Sequence, residues 1–283
     1  FAGAGGLSEG FIRAGYEPIA HIEMDHYACD SLKTRAAFHY LKENGKLEIY
    51  EEYLKNKKEK TDGSWLWNQV PKSVIDSVIQ EAIGKETLPS LFERVDKLCN
   101  GKPVDMIIGG PPCQAYSVAG RARLGKKIEE DPRNDLYKFY VEFLKRYKPK
   151  MFVFENVLGI FTAKGGEPFR DLIRLVRELD YNIDFREQIA SQHGVLQKRH
   201  RVIIVGWQNK RDTQEDTSYH YPYLLEEQMP YKMMRDLFCD LPIVKAGEGT
   251  LCGIVHYTKP LSDMEYLKKS GIRGVLSFTT QHI

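Results

Sequence analysis

Val104-Asp-Met-Ile-Ile-Gly-Gly-Pro-Pro-Cys-Gln114 decides the fold. Val104 to Ile108 is a short apolar run of strand length, and Gly109-Gly110 ends it. The two prolines fix their own φ and make a rigid turn, so the strand delivers Cys113 to one edge of its sheet. In open α/β sheets the carboxyl edge is where ligands bind. A free cysteine is most often a small buried hydrophobe, which suits Cys29 and Cys99. At the end of a rigid turn on a sheet edge, Cys113 reads as a nucleophile instead. A nucleophilic cysteine must be a thiolate, which nearby cations or a helix N-terminus favour. Arg121 and Arg123 are close in sequence.

Outward from this turn, strand and helix alternate. Pro18 to Met24 (PIAHIEM) reads as a buried strand and Tyr27 to Leu41 as a helix. Downstream, Leu136, Phe139, Tyr140, Phe143, Leu144 and Tyr147 recur at helical spacing, and that helix should stop before Pro149. Met151 to Glu155 follows as a strand; Phe169, Leu172, Ile173, Val176 and Leu179 mark another helix; Tyr181 to Ile189 and Val202 to Trp207 read as strands. The pattern predicts a doubly wound α/β sheet. Residues 43–102, dense in Lys and Glu at their start, read as a helical insertion between two core strands. Beyond Trp207 the alternation fades into polar, proline-punctuated sequence with Tyr219, Tyr221, Tyr223 and Tyr231. A boundary is expected near Asn209, dividing residues 1–208 from a smaller unit at 209–283.

The 283 residues carry 41 Lys+Arg against 39 Asp+Glu and are 42% hydrophobic, which excludes a disordered or collagen-like chain. No apolar run approaches the ~20 residues of a membrane helix, so the chain reads as soluble. Cys29, Cys99, Cys113, Cys239 and Cys252 are odd in number, scattered and without a C-x-x-C pair, which suggests neither a disulfide framework nor a metal site and fits a reducing cytoplasm. No signal peptide precedes Phe1, which opens in mid-element. The charge is unevenly placed: ten Lys/Arg against five Asp/Glu from Ala119 to Lys150, and five against none from His193 to Arg211. Local basic surface on a near-neutral chain points to a polyanionic partner, the plainer alternative being a solvated helix face.

Three further motifs stand at strand ends. Phe1-Ala-Gly-Ala-Gly-Gly6 should be a strand-to-helix turn where backbone can approach a ligand and helix N–H groups are free. It fails the dinucleotide fingerprint, because Ser8 stands at the third glycine position. Glu23 ends the next strand, where a carboxylate can accept from ribose hydroxyls. Phe154-Glu155-Asn156-Val157 ends another, and apolar neighbours there would keep a carboxylic acid able to donate a proton. Gln197-Lys-Arg199-His-Arg201 leads into the strand at Val202, so Gln197, Arg199 and Arg201 are expected to alternate onto one face. Guanidinium groups suit oxygen acceptors on a base or phosphate.

FAGAGG, GGPPCQ, FENV and QKRHR, in this order and on these elements, resemble the first, fourth, sixth and eighth motifs of the DNA (cytosine-5)-methyltransferases of bacterial restriction-modification systems. The match covers Phe1 to about Trp207. The resemblance implies a Rossmann-like catalytic domain using S-adenosylmethionine (SAM), followed by the start of a target-recognition domain. It implies that Cys113 adds to cytosine C6, that Glu155 protonates or hydrogen-bonds N3, and that Arg201 contacts O2, with Gln197 and Arg199 in support. Phe1, Gly3, Gly5, Glu23 and Met24 match SAM-holding positions; Pro112 would line the pocket between cofactor and base, and Leu136 would pack near the cofactor. Residues 115–131 would form a loop that closes over DNA.

The implied partners are double-stranded DNA and a cognate endonuclease, in the cytoplasm at the nucleoid, with no membrane. The sequence departs from the family at Leu196, usually proline. It shows no clear acidic third motif, with Asp96 the candidate for an adenine contact, and it lacks the ninth and tenth motifs; the SAM pocket is therefore expected to be open on one side. A tRNA cytosine methyltransferase of the same fold and a catalytically silent DNA-binding relative are the alternatives, and Ser8 disfavours a nicotinamide oxidoreductase.

Overall fold

The computed structural model describes residues 1–55, 63–112, 135–195, 197–209, 221–222, 238–245, 248, 254–258 and 278–280. The chain forms two compact units, Phe1–Cys29 with Ser77–Glu227, and Asp30–Asp76 with Gln228–Ile283.

In the first unit, helix α1 (Gly6–Arg13) follows the glycine turn, β1 (His21–Glu23) comes next, and α2 (His26–Glu43) runs on into the second unit. The second unit carries α3 (Leu47–Lys55), α4 (Ser64–Trp67) and α5 (Lys72–Asp76). The chain returns to the first unit with β2 (Val78–Gln80), α6 (Leu88–Cys99), β3 (Met106–Gly109), α7 (Leu136–Tyr147), β4 (Met151–Asn156), α8 (Glu167–Glu178), β5 (Tyr181–Ile189) and β6 (His200–Gln208). Strands β7 (Ile254–His256) and β8 (Phe278–Thr280) pair antiparallel in the second unit.

The sheet of the first unit is mixed. β3 and β4 are parallel, while β6 lies between β4 and β5 and is antiparallel to both, giving the order β3-β4-β6-β5. β1 and β2 pair in parallel beside it. Phe1 and Ala2 bridge the two groups: the N–H groups of both donate to Ile22 O, at 2.6 and 3.2 Å, and Gly110 N donates to Phe1 O at 3.4 Å.

Burial explains why β4 is central. Phe152 and Phe154 point to one face, into a core built with Tyr140, Val141 and Leu144 of α7 and Leu172 and Val176 of α8. Met151 and Val153 point to the other, with Val205, Tyr221 and Phe11 of α1. A strand covered on both faces needs an unbroken apolar run, which MFVF supplies. Helices thus cover both faces, as expected of a doubly wound sheet. Tyr140 Oη lies 3.0 Å from both Ile107 O and Val153 O, and its ring packs edge-on against Phe154.

Residues 43–102 differ from the helical insertion expected, since they include β2. Three residues between Ser77 and Glu81 are too few to show a period, and the strand exists because β1 offers a parallel partner, with Glu23 opposite Gln80. In the second unit, Ala37, Leu41, Tyr53, Leu66 and Val70 form a separate small core, and Trp67 Nε1 donates to Thr34 Oγ1 at 3.3 Å.

Candidate functional site

The ends of β1, β3 and β4 and the start of β6 lie on one edge of the sheet, because β6 runs antiparallel to β4. Glu155 stands opposite Ile203 in that pairing, and Arg201, two residues earlier on β6, shares its face. Arg201 Nε donates to Glu155 Oε1 at 2.7 Å, and Arg199 Nη2 lies 3.9 Å from the same oxygen. Arg201 Nη1 donates to His200 O, which fixes the guanidinium plane. Both Glu155 and Arg201 are about a quarter exposed, so the pair is shielded yet open to a ligand.

The Gly-Gly-Pro-Pro turn closes over this pair. A Cβ on Gly110 would stand 2.8 Å from Glu155 Oε2 and 3.3 Å from Glu155 O, and one on Gly109 would stand 3.1 Å from the Tyr140 ring. A side chain at Gly110 would therefore have to displace the Glu155 carboxylate, and one at Gly109 would press on the Tyr140 ring. Asn156, only 3% exposed, holds the turn from beneath: its Nδ2 donates to Pro111 O at 3.3 Å and its Oδ1 accepts from Val157 N at 2.9 Å. A buried amide at a strand end is satisfied here by the carbonyl of a proline turn. FENV contains Asn156, but no pattern within the sequence marks it as the support of a segment 45 residues away.

The glycine turn at the N-terminus of α1 meets the end of β1. Gly3 (φ 54°) and Gly5 (φ 85°) are left-handed, and a Cβ on Gly3 would meet nothing within 4 Å. The Glu23 carboxylate accepts from Gly3 N at 2.8 Å, Met24 N at 2.9 Å and Asp25 N at 3.2 Å. Burial alone would raise its pKa, but the backbone donors of Asp25, Gly3 and Met24 outweigh that and hold the carboxyl below the ordinary range. Met24, 66% exposed, presents an apolar surface beside it.

The expected site residues therefore fall into two groups. Glu155, Arg199 and Arg201 gather at the proline turn, and Phe1, Gly3, Gly5, Glu23 and Met24 gather at the glycine turn; Gly110 N and Phe1 O join the two groups. Pro112 and Leu136 are half-buried, Leu136 as the first residue of α7. One expectation is corrected: Gln197 does not share an alternating strand face with Arg199 and Arg201. Arg199 N donates to Gln197 O at 2.9 Å, a three-residue turn, and β6 begins only at His200. Gln197 is exposed in the loop. Asp96 pairs with Arg146 Nη2 at 2.6 Å, between α6 and α7. Cys113, Gln114, the 115–131 loop with Arg121 and Arg123, and Leu196 lie outside the described residues.

This geometry is that of a methyltransferase-type α/β sheet with a carboxylate-arginine site at its edge, and the chain belongs to the C-5 cytosine-specific DNA methylase family, whose model matches residues 82–256. Among its relatives, it is 32% identical over 277 residues to Type II methyltransferase M.Bpa9945I of Bacillus paralicheniformis, covering 88% of this chain and 61% of that protein. It is 28% identical over 278 residues to Type II methyltransferase M1.HphI of Haemophilus parahaemolyticus, covering 97% and 61%. The chain thus spans about three-fifths of the length of these relatives. A crystal structure described as a DNA modification methyltransferase encoded within a prophage of E. coli shares the fold, with a TM-score of 0.59 and 24% identity over 95% of this chain and 62% of that one. Among the described residues, no helix is long and apolar enough to cross a membrane.

Proposed function

We propose that the protein containing this chain methylates C5 of a cytosine flipped out of double-stranded DNA, as the modification enzyme of a restriction-modification system, with SAM as methyl donor. The observation that carries this reading is the Glu155–Arg201 pair at 2.7 Å, enclosed by the Gly109-Gly110-Pro-Pro turn that leads to Cys113. A base inside a duplex is out of reach, so the cytosine must leave the stack.

The residues at the glycine turn fit SAM. Gly3 offers open space and left-handed backbone, α1 presents its N-terminal N–H groups, Glu23 is held ionised, and Met24 is an exposed apolar neighbour. Phe1, Gly3, Gly5, Glu23 and Met24 would hold the cofactor, with Pro112 and Leu136 at its margin. When bound, SAM supplies an electrophilic methyl group to cytosine C5.

The chain's own residues prepare the base for it. The Cys113 thiolate adds to C6 while Glu155 delivers a proton to N3, so the pyrimidine becomes an enamine with a nucleophilic C5. Arg201 occupies Oε1 of Glu155, which leaves Oε2, on the Gly110 side, for N3. Arg201 and Arg199 also place guanidinium donors for the cytosine O2, with Gln197 in the adjoining loop. After transfer a base removes the C5 proton, the C6–S bond breaks, Cys113 leaves as thiolate and N3 returns its proton. The part of the second unit that follows Glu227 is assigned to target recognition, and the cytoplasm, at the nucleoid, is the proposed setting, where a cognate endonuclease would act on the same site.

The test uses the full-length protein, SAM and DNA carrying 5-fluorocytosine in the target site. Fluorine cannot leave as a cation, so a covalent adduct should accumulate and show in the intact mass. Cys113→Ser should form none while retaining DNA binding, because phosphate contacts are untouched. An active enzyme that forms no adduct would refute the addition-elimination route.

A further inference from the structure

Ser8, which stands where a dinucleotide fingerprint would have its third glycine, faces His21 across α1 and β1. Its Oγ donates to Gly5 O at 3.1 Å and lies 3.1 Å from His21 Nε2. Ser8 Oγ and His21 Nε2 share one hydrogen bond, whose direction follows the imidazole tautomer. The other ring nitrogen, Nδ1, is buried without a hydrogen-bond partner, the one such side-chain atom among the described residues. Burial also lowers the imidazole pKa to about 4, so the ring stays neutral near neutral pH. A buried polar nitrogen without a partner costs stability, and an apolar side chain would avoid that cost. Its presence calls for a compensating role.

Gly5 O is bound twice, by Ser8 Oγ and by Glu9 N at 2.9 Å, the first bond of α1. In a trans peptide the N–H points opposite to the C=O. Holding the Gly5 carbonyl along the helix therefore turns the Gly6 N–H outward, where an α-helix has donors to offer a ligand. A Cβ on Gly6 would meet nothing within 4 Å. At the other end of the relay, His21 lies two residues before Glu23, on the same side of β1.

We infer that the His21–Ser8 pair is a positioning device for SAM, fastening the Gly5–Gly6 peptide of the glycine turn to the strand that carries Glu23. The inference rests on the proposed cofactor reading and adds two residues to it. Neither touches the cofactor; they act through the Gly5 carbonyl.

Equilibrium binding of labelled SAM to the full-length protein, without turnover, is the test, with amide hydrogen exchange of the cofactor-free protein over residues 3–8 beside it. Ser8→Ala and His21→Leu should each weaken SAM binding roughly five- to tenfold, as the loss of one buried hydrogen bond does. The double variant should be no weaker than the weaker single. His21→Gln, which keeps an N–H near the Nε2 position, should restore most of the affinity. Exchange at Gly5 and Gly6 should quicken in the two single variants, and non-specific DNA affinity should not change. If the wild type binds SAM and all the variants equal it, or if His21→Gln is as weak as His21→Leu, the pair has no positioning role. A parallel fall in SAM and DNA affinity would show only general loosening and would likewise overturn it. A folded wild type that binds no SAM would overturn the cofactor reading and this inference together.

Discussion

Gly110 lacks a side chain because Glu155 fills the space one would occupy. Oε1 is tied to Arg201, so the carboxylate cannot swing away from a new methyl group without breaking that pair. Gly110→Ala should therefore lower the single-turnover methylation rate tenfold or more and leave SAM affinity within about twofold, since a displaced proton donor affects chemistry before binding. Equal single-turnover rates for the two proteins would show that Glu155 is not positioned by this turn. At this scale the strand-end positions of Glu155 and Arg201 were readable, and the two do meet, but Glu155 was expected among apolar neighbours and instead faces the guanidinium groups of Arg201 and Arg199. The sequence was unreadable where the role is to support something else. Asn156 and Ser8 act on carbonyls that any residue has, so no pattern of side chains could reveal their partners.

Among the elements, β6 carries a glycine in mid-strand, normally a weakness. Gly206 lies opposite Phe152 in the β4–β6 pairing, and the Phe152 ring covers the place of its missing side chain. Phe152 is itself fully buried against Tyr140 and Tyr181 and cannot yield. Gly206→Ala should thus destabilise the protein by about 2–3 kcal/mol, the upper range of overpacking, measurable as a lower urea midpoint with unchanged slope. A loss below ~0.5 kcal/mol would mean that the strands part easily. Long periodic elements, α7 and α8 above all, were legible because their apolar faces repeat over three turns. β2 was not, and neither was the turn at Gln197, where a single backbone hydrogen bond ends the strand-like alternation of QKRHR.

For the whole molecule, the near-neutral balance conceals a basic segment, with Lys198 and Arg199 both exposed beside the site. Under the proposed function Lys198 faces phosphate. Lys198→Ala should weaken DNA binding uniformly across sequences and reduce the slope of log K against log salt by about one; a change confined to one target sequence would assign Lys198 to base readout instead. The order β3-β4-β6-β5 has another consequence, for the protein as it is made. The strand synthesised last of these four belongs in the interior, between β4 and β5. On the ribosome, β5 emerges with nothing to pair with, and the inner edge of β4 stays open until residues 200–208 have cleared the exit tunnel. Nascent chains in which Ile189 has left the tunnel and His200 has not would carry unsatisfied edges on both β4 and β5 and be prone to self-association. Emergence of this stretch is the interval in which the growing chain most needs protection from its neighbours.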